Sequence, residues 1–188
     1  MTLFGPDFPP RERRTIAPGA IHLPGWLDTR QQRRLVQAFR TWSTGPVPIR
    51  AALLPSGHRM SVRTVCLGWH WIPYRYSRTR DDQDGSPVTP FPDWLGDLGR
   101  DAVAHAYVDP ARATGYHTDI ALINHYTDDA RLGMHRDSDE HAPDPVVSIS
   151  LGAPGAGRLN ITLRVSGLQP DDRRRGSAVQ NERRRGIP

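Results

Sequence analysis

From Arg158 to Val165 the chain alternates without a break, Leu159, Ile161, Leu163 and Val165 against Arg158, Asn160, Thr162 and Arg164. Successive side chains of a β-strand point to opposite faces, so this stretch predicts a strand that is apolar on one side and polar on the other. A slip of one residue would turn every apolar side chain into water, which makes the register a property of the sequence itself. Residues 119–126 (Asp-Ile-Ala-Leu-Ile-Asn-His-Tyr) and 146–151 (Val-Val-Ser-Ile-Ser-Leu) are strand-like in the same way. Shorter strands are expected at 60–67 and 74–77, followed by a polar loop from Asp81 to Ser86.

Two helices precede this strand-rich half. One is expected from Asp28 or Thr29 to about Trp42, with a polar cap, Leu35, Phe39 and Trp42 on one side, and Gly45-Pro46 to end it. The second is expected from Asp93, after Pro90 and Pro92, to about His105, with Leu95, Leu98, Ala102 and Val103 on its apolar side. Helices followed by strands point to an α+β fold. Residues 19–26 suit a short edge strand interrupted by Pro24. A polar, Pro-rich arm over 1–15 and an Arg-rich disordered tail over 167–188 would flank one globular domain over 16–166.

Composition narrows the class. The single cysteine, Cys66, excludes an intramolecular disulfide framework and a cysteine-rich zinc site. No apolar run approaches the roughly 18 residues of a membrane span, and Met1 to Arg14 has no apolar core of a signal peptide, so the cytoplasm is the expected compartment. The net charge of +5 is carried almost entirely by arginine, which suits nucleic acid. Yet residues 173–175 and 183–185 are both Arg-Arg-Arg, and these six charges exceed the whole excess. Charge alone therefore leaves nucleic-acid binding open.

His135 and Asp137 stand two apart in Met-His-Arg-Asp. On an extended backbone both would project from one face, an imidazole and a carboxylate able to share one metal. With a distant second histidine they would form the two-histidine-one-carboxylate triad of non-haem iron oxygenases. His-x-Asp alone is a weak signal, but its neighbours are specific. Leu122-Ile123-Asn124-His125-Tyr126 precedes it, Ser148-Ile149-Ser150-Leu151-Gly152 follows, and Arg158-Leu159-Asn160-Ile161-Thr162-Leu163-Arg164 closes the set. Upstream stand Leu67-Gly68-Trp69 and Tyr74-Arg75-Tyr76-Ser77.

In order and in kind, these segments resemble the AlkB family of iron(II)- and 2-oxoglutarate-dependent dioxygenases, over roughly residues 16 to 166. The resemblance implies a double-stranded β-helix (jelly roll) with flanking helices and a nucleotide-recognition lid. It implies His135 and Asp137 as catalytic iron ligands, and Asn124, Tyr126, Arg158, Asn160 and Arg164 as the 2-oxoglutarate site. Arg158 would pair with the far carboxylate of the co-substrate; read without the resemblance, Arg158 and Arg164 are the wet side of an amphipathic strand. Trp69, Tyr76 and Asp139 would hold the substrate, a base rotated out of alkylated DNA or RNA, with aromatic and negative groups favouring a cationic lesion. Trp69 could equally pack in a core with Trp71 and Trp94. Arg63, Arg75 and Arg131 are either phosphate contacts or solvated loop residues. The implied activity is oxidative dealkylation by a monomer with no membrane partner.

The pattern then breaks. The family takes its second histidine from a strand well downstream of His135, whereas no histidine follows His141 here. Ser148–Gly152 leads through five residues directly into the Arg158 strand, where the family has several strands between them. An internal deletion is therefore expected, leaving the C-terminal half of the jelly roll incomplete, strand edges unpaired and iron weakly held. His141, His125 and His117 are the possible substitutes, although the strand parity of His125 points it away from Asn124 and Tyr126. The alternative function is an impaired relative that binds nucleic acid without turnover.

Overall fold

The computed structural model describes residues 12–73, 75–127, 129–133, 144–152 and 158–166. In chain order these form β1 (Arg14–Ala17), β2 (Ala20–His22), α1 (Thr29–Thr44), β3 (Arg50–Leu53), β4 (Arg59–Leu67), β5 (His70–Ile72), β6 (Arg75–Ser77), α2 (Asp93–Tyr107), α3 (Pro110–Thr114), β7 (Ile120–Tyr126), β8 (Val147–Gly152) and β9 (Arg158–Arg164). Five strands make one antiparallel sheet in the order β3-β4-β7-β9-β8, while β1–β2 and β5–β6 are separate hairpins.

The alternation of β9 governs the layering. Leu159, Ile161 and Leu163 face the helices with Val65, Leu67, Ala121, Ile123 and Ile149, and Leu35 of α1 and Leu95 and Leu98 of α2 close over them. Ile161 and Leu163 are 0% exposed. Burial of this kind contributes about 1.5–3 kcal/mol per side chain. α2 comes so close to the sheet at Gly99 that a Cβ there would stand 3.1 Å from Leu163 Cδ1. The start of α1 is fixed by a reciprocal cap. Gln31 N donates to Asp28 Oδ1 at 2.7 Å, and Asp28 N donates to Gln31 Oε1 at 2.9 Å. With one face of the sheet sealed by helices, the polar face of β9 is left to be a site.

The expected strands at 60–67, 119–126, 146–151 and 158–165 appear within a residue of their expected bounds, and both expected helices appear, each running two residues further. Three elements lacked a periodic signal. β3 is four residues of Arg-Ala-Ala-Leu, β5 is three residues beside a tight turn, and α3 is one Pro-initiated turn capped by Asp109. The expected arm over 1–15 is too long, because β1 begins at Arg14 and Arg13 Nε donates to Ala106 O of α2 at 2.5 Å. Residues 1–11 and the expected tail from 167 lie outside the described residues. Among the described residues no helix is long and apolar enough to cross a membrane.

Candidate active site

Register assembles the polar face. Asn124 pairs with Asn160 and Tyr126 with Arg158 across β7–β9, while Arg164 stands opposite Ile120. All five residues expected to hold the co-substrate therefore share one side of the sheet. Their order along it matters. Arg158 lies at the exposed rim with its guanidinium 5.4 Å from the Tyr126 ring centroid, and Arg164 is 7% exposed at the other end. Six residues of strand separate the two arginines, roughly 20 Å. Burial pushes the Tyr126 phenol above its ordinary value, against the opposing pull of Arg158.

The middle of the face is wired by hydroxyls that motif reading passed over. Thr64 of β4 donates its Oγ1–H to Asn124 Oδ1 at 2.8 Å, which turns the amide nitrogen of Asn124 away from Thr64. Asn160 is held at both ends. Its Nδ2 donates to Ser148 Oγ at 2.9 Å and Ser150 Oγ at 3.1 Å, and its Oδ1 accepts from Thr162 Oγ1 at 3.0 Å. Asn160 thus rivets β8 to β9. Ser148 and Ser150 were within reach of the sequence, since both alternate with buried Ile149; Thr64 was not, because its pairing with Asn124 is an inter-strand register.

His125 does point away, as its parity predicts. It packs against Phe39 of α1, ring centroids 5.5 Å apart, on the helical side. Burial, aided by Arg63, lowers its pKa below the usual histidine value. Arg63 shares that side, and Arg75 pairs with Asp81 at 2.9 Å. Arg131 is exposed next to Ser61, with which its backbone exchanges two bonds of 3.0 Å.

At the far end of the face the Trp69 segment is locked by non-local contacts. Trp69 Nε1 donates to Asp119 Oδ2 at 2.8 Å, and Asp119 also accepts from Ser166 N at 2.8 Å and Ser166 Oγ at 2.6 Å. Gly68 has φ +76°, and a Cβ there would fall 1.9 Å from Asp119 O, so no side chain fits. Trp69 packs with Cys66, Val88, Ile120 and Leu122, and with Trp71 and Tyr76 at the edge. Of its expected core partners Trp71 is present, whereas Trp94 stacks on Trp42 at 6.1 Å beside the helices. Arg78 lies over the Trp69 ring at 3.8 Å, a contact with no signal in the sequence.

The hairpin carrying Tyr76 is latched to β3. His70, 2% exposed, places Nε2 2.7 Å from Asp82 Oδ1 and 2.9 Å from Arg50 Nη2, and Arg50 also donates to Trp71 O at 2.6 Å. His70 Nδ1 is buried without a hydrogen-bond partner among the described residues. Arg50 Nη2 also reaches Asp82 Oδ2 at 3.4 Å, so the buried imidazole lies in one cluster with a cation and a carboxylate. Burial first, and Arg50 second, hold the His70 pKa below its ordinary value.

His135, Asp137 and Asp139 lie outside the described residues, as does His141. Among the described residues no group of three His, Cys, Asp or Glu side chains could hold a metal. The donors that are described fit a dicarboxylate. An amide, a phenol and a guanidinium from Asn124, Tyr126 and Arg158 face one way at the open end of a sheet.

The model of the 2OG-Fe(II) oxygenase superfamily matches residues 19–156, which sets the class of this chain. The chain is 40% identical over 116 residues to the alpha-ketoglutarate-dependent dioxygenase AlkB of Escherichia coli, covering 57% of this chain and 50% of that protein. It is 33% identical over 162 residues to AlkB of Salmonella typhimurium, covering 82% and 69%. The solved structure of OsALKBH1 superimposes with a TM-score of 0.69 at 21% identity, covering 82% of this chain and 100% of that one, and so shares its jelly-roll fold. The chain belongs to the AlkB family, whose members use iron(II) and 2-oxoglutarate. It spans about half the length of the curated relatives it matches, from 34% to 69%.

Proposed function

We propose that this chain is an oxidative dealkylase of alkylated nucleobases in DNA or RNA, acting in the cytoplasm as a monomer. The observation that carries this reading is the shared face of Asn124, Tyr126 and Arg158, with Asn160 tied between β8 and β9. Iron(II) at His135 and Asp137 would, with 2-oxoglutarate and O2, supply the oxidising chemistry that places one oxygen atom on the alkyl carbon attached to nitrogen. The chain's own share is positioning. Arg158 and Tyr126 take the far carboxylate, Asn124 offers its amide N–H as Thr64 aims it, and Arg164 supplies buried positive charge at the opposite end. Asn160 acts through β8 instead of touching the co-substrate. Tyr76, partly buried at the edge of the Trp69 cluster, would stack on a flipped base, with Trp69 supporting it from the core, and Asp139 would meet the base's edge. For a methylated base the sum is base–CH3 + 2-oxoglutarate + O2 giving base–H + formaldehyde + succinate + CO2. Formaldehyde release from methylated oligonucleotide, with iron(II) and 2-oxoglutarate supplied, is the test. Release no greater than that of His135→Ala removes the activity from this chain.

One observation favours a second reading. No histidine follows His141, so the family's distal ligand has no counterpart at its expected place. On that reading the chain binds alkylated nucleic acid without turnover. Salt-dependent binding with no succinate formed would support it, and succinate formation coupled to base repair would end it.

A further inference from the structure

α1 has two faces of different chemistry. Leu35, Phe39 and Trp42 turn to the core, whereas Arg30, Arg33, Arg34, Gln37 and Arg40 lie exposed along the opposite side. Thr41 and Thr44 complete that side, each giving its hydroxyl to a carbonyl of the preceding turn. From Arg30 to Arg40 the stripe runs roughly 15 Å along the axis. The helix contains no acidic residue, and none of its exposed residues is apolar.

These charges work against their own helix. Arg30 stands three residues from Arg33 and four from Arg34, spacings at which like charges repel. All three lie in the N-terminal half, where the helix dipole is already positive and acidic side chains are the favourable ones. Asp28, the carboxylate at that end, is engaged as the cap. Arg34 lies over the Trp94 ring at 4.0 Å, which holds its guanidinium at the surface. Asp93 and Asp97 are exposed on neighbouring α2, and Asp97 pairs with Arg100. Among the described residues Arg30, Arg34 and Arg40 form no ion pair. Charges that disfavour their own helix are explained by a partner outside it.

The rest of the face says which partner. A helix that lies on a membrane brings apolar side chains to insert beside its charges, and a protein interface is built around an apolar or aromatic centre. The exposed side of α1 has neither. Guanidinium groups with an amide among them suit phosphate oxygens, which accept from both and follow a strand whatever its sequence. The stripe also faces away from the co-substrate donors, because α1 covers the apolar side of the sheet and Asn124, Tyr126 and Arg158 stand on the other.

We infer that the outer face of α1 is a second nucleic-acid contact, holding the phosphate backbone of the substrate strand away from the base being acted on. The inference rests on the dealkylase reading above and adds a length requirement to its substrate, which must continue past the base site and round to α1.

The test is fluorescence anisotropy of the full chain with labelled, unmodified thymidine strands of about 4 and about 30 nucleotides, across a range of salt and with 2-oxoglutarate withheld. The long strand is expected to bind more tightly, with log affinity falling by about 0.7 per log unit of salt for each phosphate engaged. Combining Arg30→Gln, Arg33→Gln, Arg34→Gln and Arg40→Gln should lower that slope by roughly 3 and long-strand affinity by about ten-fold or more, with short-strand affinity unmoved. The thermal midpoint should hold or rise, since the charges removed opposed the helix. Arg→Lys at the same four positions keeps the slope. Arg30→Gln and Arg40→Gln alone, at the two ends of the stripe, each lower it by about 0.7 and decide the matter if the combined variant does not fold. A slope and length dependence unchanged in folded variants overturn the inference. Equal weakening of poly-glutamate binding overturns the assignment to phosphate. The base site is read separately, by the preference for a short methylated strand over a plain one. Loss of that preference together with the slope would mean a damaged fold and overturn the inference; its absence from the unsubstituted chain would count against the base site alone.

Discussion

Asn124 and Trp69 serve one site but are placed by different physics. Asn124 owes its direction to the pleat of β7 and to one bond from Thr64 on the neighbouring strand. Trp69 owes its direction to a glycine that admits no side chain, a carboxylate on the far side of the sequence, and an arginine stacked on its ring. The sheet half is periodic and held by apolar burial beneath it. The Trp69 half is aperiodic and held by polar contacts between distant residues. Damage to the first should therefore be global, and damage to the second local.

The largest effect belongs beneath the sheet. Ile161→Ala removes a side chain that is fully buried between β9 and the helices, and the expected loss is about 3 kcal/mol of unfolding free energy, read by urea titration. A loss under about 1 kcal/mol would mean that β9 does not anchor the core. Gly68→Ala is expected to cost on the order of 2 kcal/mol, since both the φ of +76° and Asp119 O oppose a Cβ. Its signature is selective, with oligonucleotide binding lost while 2-oxoglutarate binding, by calorimetry, persists. Loss of both together would erase the distinction between the halves. The converse variant is Arg158→Ala at the exposed rim. Here 2-oxoglutarate affinity should fall ten-fold or more, about 1.4 kcal/mol, with an unmoved thermal midpoint. An unchanged affinity would hand the carboxylate to Arg164.

The smallest effect is set by pH. His70 and His125 both have folded-state pKa values below the ordinary one, burial being the leading cause in each. The unfolded chain thus takes up their protons first as pH falls. Their contribution to stability is complete above about pH 6.5 and declines below it, toward the folded values. The thermal midpoint should drop by a few degrees on acidification, and less so in His70→Gln. An equal drop in that variant would place the acid sensitivity elsewhere.

Legibility followed the same division. The alternation from Arg158 to Val165 told which residues of β9 face the helices and which face the site, and strand parity alone sent His125 the other way. The family resemblance picked out Asn124, Tyr126, Asn160 and both arginines, and the register sets them on one face. Thr64 stayed hidden because a hydrogen bond across strands depends on register, which no single strand encodes. Arg78 and Asp119 stayed hidden because their partners lie in unrelated segments, joined only when the chain folds. His70 carried no motif, and its partners Arg50 and Asp82 lie on either side of it along the chain. Periodic structure is written locally; irregular structure is not.

Asp119 receives the indole of Trp69 through its side chain, blocks a Cβ on Gly68 with its carbonyl, and holds Ser166 by two further bonds. For anyone seeking to redesign base preference, these four positions are a single unit of variation. A library that randomises any one of them alone will sample mostly broken molecules. Position 78, partly exposed at the adjoining cavity, is where diversity can be introduced at less structural cost, because Val88 and Phe91 beside it pack into the core.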